Sequence, residues 1–202
     1  MAELAELISQ LANVGADTQL VVTKLSYGEC FKSVLGVDPH SVELAVLQKM
    51  AVDVSSESWA QESRANCLDL LFSLGVEPQL PNGLVFIYDY PACQAALAQL
   101  HLNVQGQSVS RRFEAFFNSM ELANGYMELT DAAQQRQRFE KEVEQRSAQN
   151  KPAVVIDEKL MAALDSGLPP CAGVALGVDR LLMQLLGTDS IDQVMAFSWQ
   201  RC

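Results

Sequence analysis

The chain has 202 residues, 49% of them hydrophobic, which predicts a single domain with a sizeable core. Its formal net charge of −11 argues against tight nonspecific binding to nucleic acid and suits small substrates or a basic protein partner. The five scattered cysteines argue against a disulfide framework and a zinc site. The acidic start argues against a signal peptide, and the lack of a long apolar run argues against a membrane span. We therefore expect a cytoplasmic protein.

Four helices are predicted in the first 75 residues. Ser26 and Glu29 have the spacing of a capping box, and Gly36 suits the left-handed residue that ends a helix. The predicted helices cover residues 2–13, 27–35, 41–50 and 56–75. Each carries an apolar stripe of the kind that packs into a core.

Two β-rich regions follow. Residues 84–90, which lie between Pro81-Asn82-Gly83 and Pro91, predict a largely buried strand. The stretch from roughly 109 to 129 predicts antiparallel strands with loops between them, and it carries three glutamates in aromatic and apolar surroundings.

Glu114, Glu121 and Glu128 recur at a spacing of seven, which puts neighbouring glutamates on opposite faces of a straight strand. The chain must therefore bend between them if they act together. Asn124-Gly125 is the strongest short hairpin signal and predicts a turn that sets Glu121 opposite Glu128. A weaker turn near Phe117-Asn118 would set Glu114 opposite Glu121.

Carboxylates that face each other on adjacent strands destabilise a sheet. A hard divalent cation such as Mg²⁺, or the amine of a substrate, would offset that repulsion. The alternative is that the three glutamates are solvated on the open face of a sheet. From these residues alone the two interpretations have equal weight.

The last third of the chain predicts two helices, a strand and a further helix. Thr130 or Asp131 begins a solvated helix to about residue 146, and Asp157 begins a short helix that ends near Gly167. Residues 171–177 predict a buried strand of small residues, followed by a helix at 178–186. Arg180 lies in the first turn of that helix, where its planar fork suits either a phosphate or a structural carboxylate.

Two blocks of this sequence resemble the late catalytic domain of class II lysyl-tRNA synthetases. The first contains Arg-Phe-Glu at 112–114, Glu-Leu-Ala-Asn-Gly at 121–125 and Glu-Leu-Thr-Asp at 128–131. The second, Gly-Val-Ala-Leu-Gly-Val-Asp-Arg at 173–180, resembles motif 3 of that class. The resemblance runs from about residue 25 to the end. It is closest to the paralogues that attach β-lysine to elongation factor P.

The resemblance implies an α+β fold in which an antiparallel sheet is flanked by helices. Residues 1–202 would form one domain, the C-terminal portion of a synthetase core. Motif 3 is present, whereas motifs 1 and 2 are not seen. The sheet would therefore be incomplete on its N-terminal side, and we expect an exposed edge or apolar patch.

The resemblance also implies roles for individual residues. Glu114 and Glu121 match the positions that hold Mg²⁺. The positions that match contacts to ATP are Glu121, Leu122, Gly177 and Arg180, with the catalytic Arg180 on the γ-phosphate. The positions that match contacts to the amino acid are Asn124, Tyr126, Glu128 and Ala175, with Glu128 receiving the side-chain amine.

Ala175 is a departure from lysyl-tRNA synthetases, which have glycine there, and it matches the β-lysine ligases. The implied function is an ATP-dependent ligase for (R)-β-lysine that modifies a lysine of elongation factor P. The complete enzyme would be a homodimer with no role for tRNA. The alternatives are a catalytic fragment of a lysyl-tRNA synthetase that acts on lysine, and a noncatalytic interaction module that lacks the arginine of motif 2.

Overall fold

The computed structural model describes residues 1–12 and 20–201, with no account of the Gln200 side chain. It contains seven α-helices and six β-strands in these residues. The helices are α1 (Ala2–Ala12), α2 (Tyr27–Leu35), α3 (Leu44–Val54), α4 (Arg64–Leu71), α5 (Ala132–Ala148), α6 (Glu158–Asp165) and α7 (Val178–Leu186). The strands are β1 (Val22–Ser26), β2 (Leu84–Pro91), β3 (Leu100–Leu102), β4 (Ser108–Phe117), β5 (Met120–Met127) and β6 (Ala172–Leu176).

The strands form one mixed sheet in the order β1-β2-β4-β5-β6, and β3 also pairs with β4. β1 runs parallel to β2, whereas the pairs β2–β4, β4–β5 and β5–β6 are antiparallel. The structure therefore confirms the predicted sheet of mostly antiparallel strands flanked by helices. The parallel strand β1 and the short strand β3 were not predicted.

Helices cover the two faces of the sheet unequally. On one face, α2, α3 and α4 pack on β2 and β4 and enclose a core rich in aromatic side chains. Its buried aromatic residues are Tyr27, Phe31, Phe72, Tyr90 and Phe116. On the other face, Leu4 and Ile8 of α1 and Leu181 of α7 pack against Phe86 and Ala115 in a smaller core.

Short-range signals fixed several helix ends as predicted. Ser26 and Glu29 form the capping box of α2, and Gly36 ends that helix in the left-handed region at φ 74°. Asp131 caps α5 and Asp157 caps α6 through their side chains. The predicted helix at 56–75 was wrong in its continuity, because a 3₁₀ turn, α4 and a π-helical turn share that range.

The β6 side of the sheet is open. Residues 172–175 of β6 are exposed, so the prediction of a buried strand there was wrong. In α7 only Leu181 and Met183 are buried, whereas Leu182 is 37% and Leu185 is 39% exposed. Phe197 is 81% exposed and Trp199 93% exposed in the segment that follows. Large apolar side chains are thus exposed in this part of the described chain, and the expectation that they form one patch stays a prediction.

Among the helices that the structure describes, none combines the length and the apolar character needed to cross a bilayer.

Candidate functional site

The reversal between β4 and β5 lies at Asn118 and Ser119, not at Asn124-Gly125. Both turn residues have positive φ, 48° and 65°, as a two-residue hairpin turn of the primed type requires. Asn118 holds the turn in place because its Oδ1 accepts the Gly83 N–H at 3.0 Å. The turn predicted at Asn124-Gly125 was wrong. The chain reverses instead where the weaker signal near Phe117-Asn118 predicted a turn.

Asn124 and Gly125 instead lie inside β5, paired on both sides. Gly125 lies opposite Phe113 of β4 and Val174 of β6. A Cβ at this position would lie 2.7 Å from Cζ of Phe113 and 2.9 Å from the carbonyl oxygen of Gly173. The glycine is therefore required by close packing rather than by a turn.

A β-bulge places Glu121 on the same face as the rest of the site. Ala115 pairs with Ala123, but the next residue, Phe116, pairs with Glu121, so that Leu122 is the extra residue. Directly paired residues project to the same face, and an extra residue reverses the alternation that follows it. Glu121, Asn124 and Glu128 thus share one face despite their odd spacing.

The three glutamates do not converge on one point, and Glu121 does not lie opposite Glu128. Glu121 pairs with Phe116 at the start of β5, whereas Glu128 follows β5 and bridges to Ala98. Seven residues of strand at about 3.3 Å each would separate the two by roughly 20 Å. Glu114 lies opposite Asn124, between these two ends. The arrangement is a row along the strand with two separate ends.

Glu114 is held by a partly buried network. Its Oε2 accepts the hydroxyl of Tyr90 at 2.7 Å, and its Oε1 accepts Nη2 of Arg112. The same guanidinium donates from Nε to Oδ1 of Asn124 at 3.2 Å and from Nη1 to the carbonyl of Gln94 at 3.0 Å. It also lies 4.8 Å from the centre of the Tyr90 ring. Arg112 therefore fixes Glu114 and Asn124 relative to each other.

At the first end of the row, α7 is joined to the start of β5. Nη1 of Arg180 donates to the carbonyl of Glu121 at 2.8 Å and approaches its Oε2 at 3.4 Å. The N–H of Gly177 donates to the carbonyl of Leu122 at 2.8 Å. The Leu122 side chain is buried in the core of the opposite face, so only its backbone borders this end. The Arg180 side chain is 51% exposed and can reach a ligand.

At the second end, Glu128 lies beside small residues of β6. A Cβ on Gly173 would lie 3.0 Å from Oε1 of Glu128. Tyr126 pairs with Gly173, and Asn124 pairs with Ala175. The small side chains of β6 therefore leave space above the sheet between the two ends. Burial, followed by the charge of Glu128, raises the pKa of the Tyr126 hydroxyl above its ordinary value. The tyrosine therefore lies close to this carboxylate.

Glu77 is a carboxylate near the site that the sequence did not reveal. Burial, then the charges of Glu114 and Glu121, raise its pKa above the ordinary value. Burial likewise raises the pKa of Glu114, with a further contribution from Glu121, against the lowering effects of Arg112 and Tyr90. Glu77 precedes Pro78 in a short 3₁₀ turn with no motif around it, so only the fold brings it here.

The donor set at the first end fits Mg²⁺ through its chemistry. No group of three or more His, Cys, Asp or Glu side chains within residues 1–12 and 20–201 could hold a metal ion by itself. Mg²⁺, however, is commonly bound through one or two carboxylates together with substrate phosphates. Glu114 and Glu121 repel each other across the hairpin, and a bound cation would relieve that repulsion.

The open face can therefore receive a ligand with charges of both signs. Its first end has one exposed arginine for an anion and carboxylates for a cation. Its second end has a carboxylate beside a tyrosine and small residues, which suits an amine. Such a surface can orient two ligands end to end along β5.

Comparisons with known proteins found matches over most of the chain. The family model described as tRNA synthetases class II (D, K and N) matches residues 2–201. The elongation factor P (R)-β-lysine ligase of Klebsiella pneumoniae is 46% identical over 180 residues, which cover 88% of this chain and 55% of that protein. The ligase of the same name from Proteus mirabilis is 43% identical and covers 98% of this chain and 59% of its own length. The chain thus spans somewhat more than half of these relatives.

Proposed function

The chain belongs to the class II tRNA synthetase family (D, K and N), and on that premise we propose that it is part of an ATP-dependent ligase that activates (R)-β-lysine and transfers it to elongation factor P. The names of the relatives support this acceptor and amino acid. The observation that carries the proposal is the row along β5, with Arg180 and Glu121 at one end and Glu128 at the other.

ATP would lie at the first end of the row. Arg180 would donate to the γ-phosphate, and the backbone of Leu122 and Gly177 would border the nucleotide. Glu114 and Glu121 would hold Mg²⁺, which neutralises phosphate charge when bound. The contact between Arg180 and Glu121 supports this assignment, because it brings a cationic group for a phosphate to within 3.4 Å of a carboxylate proposed to hold the metal.

The amino acid would lie at the second end. A cationic side-chain amine needs a charged partner in a partly desolvated site, and Glu128 would supply it. Asn124, held by Arg112, would orient the amino acid, and Tyr126 would form a wall. The Ala175 methyl group, across from Asn124, would narrow the site where lysyl-tRNA synthetases have glycine, and this favours (R)-β-lysine over lysine.

The reaction would proceed in two steps. A carboxylate oxygen of the amino acid attacks the α-phosphorus of ATP, the bond from that phosphorus to the bridging oxygen breaks, and pyrophosphate leaves. The neutral ε-amine of a lysine on elongation factor P then attacks the activated carbonyl, and AMP leaves while the amine proton passes to solvent. The residues along β5 would contribute by positioning the reactants and by stabilising developing charge.

Calorimetry with the whole chain tests the two ends separately. Glu128→Gln should weaken binding of (R)-β-lysine at least about tenfold, equivalent to about 1.4 kcal/mol, and leave ATP–Mg²⁺ binding unchanged. Arg180→Gln should weaken ATP–Mg²⁺ binding and leave binding of (R)-β-lysine unchanged. Equal losses for both ligands in both variants would contradict the proposed order along β5. Tighter binding of lysine than of β-lysine would instead favour a lysyl-tRNA synthetase fragment.

Two hydrogen bonds favour a second candidate, a noncatalytic interaction module. Both oxygens of Glu114 already accept hydrogen bonds, from Tyr90 and from Arg112, as in a purely structural network. If this candidate is correct, the wild-type chain will bind elongation factor P but show no heat of binding with ATP and Mg²⁺. Measurable ATP–Mg²⁺ binding that Glu114→Gln weakens would exclude it.

A further inference from the structure

An apolar groove lies between α5 and the segment that leads into α6. We call it the α5–α6 groove. It has a volume of about 230 Å³ and is lined by Phe139 and Val143 of α5, by Val154, Val155 and Ile156 of the connecting segment, and by Leu160 of α6. Val155 is 89% exposed and Val154 is 51% exposed. A volume of this size accommodates one or two apolar side chains.

Carboxylates lie beside this apolar floor. Glu142 and Asp157 line the groove itself, and Glu140 and Glu144 line an adjoining depression that shares residues 154–156 with it. We call these four carboxylates the rim. The basic residue in the lining is Arg146, whose Nη2 donates to the carbonyl of Pro152 at 3.1 Å. The groove is thus an apolar pocket in a negative rim. A polypeptide with an apolar side chain flanked by Lys or Arg is complementary to it.

The groove is tied to the Glu128 end of the candidate site. Nη1 of Arg138, next to Phe139 in α5, donates to the carbonyl of Ala98 at 2.7 Å, and Ala98 forms the β-bridge to Glu128. At the other end of the chain segment that joins β5 to β6, the N–H of Glu128 donates to the carbonyl of Cys171 at 3.0 Å. The chain segment that carries the groove therefore starts and ends beside the carboxylate proposed to hold the amino acid.

We propose that the α5–α6 groove docks the acceptor polypeptide, through an apolar side chain near its target lysine and basic residues that face the rim. This inference rests on the proposed function and adds the surface that recognises the acceptor. A protein acceptor must be held outside the small polar row along β5, since that row receives ATP and the amino acid. The groove offers an apolar anchor site on the segment that leaves the sheet and returns to it at the Glu128 end of the row.

Removal of apolar area from exposed positions tests this surface without disturbing the core. The double variant Val154→Ser and Val155→Ser should weaken binding of purified elongation factor P to the whole chain about tenfold or more by calorimetry. The matched control is Val104→Ser, since Val104 is 97% exposed in the loop between β3 and β4 and is remote from the groove in sequence. Its affinity should equal that of the wild type.

The charge of the rim provides a second, independent measurement. Glu140→Gln combined with Glu144→Gln should weaken the same binding at low ionic strength, and the loss should shrink as salt is added. Unchanged affinity in both double variants would overturn the docking proposal. A serine variant that only reduces self-association in sedimentation would also overturn it, because the groove would then contact a second copy of the chain.

ATP and (R)-β-lysine binding by the same variants separates this proposal from the proposed function. If both small ligands bind normally and elongation factor P binding is insensitive to the groove, only the docking surface is wrong. If the wild type binds neither small ligand, the ligase proposal fails. Groove-dependent binding of elongation factor P would still stand as a result in that case.

Discussion

The two ends of the strand order, β1–β2 and β5–β6, differ in what covers them, and we call them the two sides of the sheet. On the β1–β2 side, helices cover both faces of the strands, and Phe31, Phe86 and Phe116 are fully buried. On the β5–β6 side, β6 is exposed over residues 172–175, and the candidate site residues lie on an open face. The two sides meet at β4, which contributes Phe116 to the core and Glu114 to the site.

This difference shows how one strand, β4, can contribute both to the core and to the candidate site. Phe116 packs near Phe72, with ring centres 6.2 Å apart, and anchors β4 under the helices. Two residues earlier on the same face, Glu114 is fixed by Tyr90 and Arg112. The covered side thus supplies the free energy of folding that lets the other side keep charged groups in a fixed open arrangement.

The largest effect is expected in the covered side. Phe116→Ala should lower the free energy of unfolding by about 4 kcal/mol, because it removes a fully buried ring and leaves a cavity. Urea denaturation measures the change. Leu186→Ala on the open side is the control, since Leu186 is 64% exposed and should change stability by no more than about 0.5 kcal/mol. Similar losses of unfolding free energy in the two variants would contradict the claim that the covered side contributes more to stability than the open side.

An intermediate effect is expected where β4 and β5 join the sides. Gly125→Ala should destabilise the fold by about 2 kcal/mol, because its Cβ would overlap the Phe113 ring and the Gly173 carbonyl. Gly173→Ala on the neighbouring strand meets only the flexible end of Glu128 and should cost less than about 1 kcal/mol. Thermal unfolding of both variants checks the order. A tolerated Gly125→Ala would show that the ring is free to move away.

The smallest effect is a pH dependence at the boundary between the sides. Burial raises the pKa of Glu114 above its ordinary value of 4.5, so the folded chain holds this proton more tightly than the unfolded chain does. The contribution to stability is therefore full below pH 4.5 and is lost as pH rises through the raised folded pKa.

Glu114→Gln removes this titration and keeps the shape of the side chain. The stability of the wild type relative to this variant should fall with increasing pH across that window, as measured by urea denaturation without divalent ions. A difference that stays constant, or that grows with pH, would contradict burial as the dominant influence on Glu114.

Several residues that the sequence selected are neighbours in the structure, although the sequence did not predict how they are arranged. The motif resemblance selected Glu121 and Arg180, which the structure brings into contact, and Gly177 and Leu122, which share a hydrogen bond. Their roles toward ATP and the amino acid remain predictions. Glu77 and the network around Arg112 were not predicted, because their partners lie far away in sequence.

The sequence by itself determined the features that depend on neighbouring residues: the capping box of α2, the Asp131 and Asp157 caps, and the composition of the buried strand β2. Only the tertiary structure decided where the hairpin turns. The preference of Asn124-Gly125 for a turn is a short-range one that involves only neighbouring residues. Pairing of β5 with strands on both sides, and the Phe113 ring over Gly125, outweigh that preference because they add many hydrogen bonds and buried contacts together.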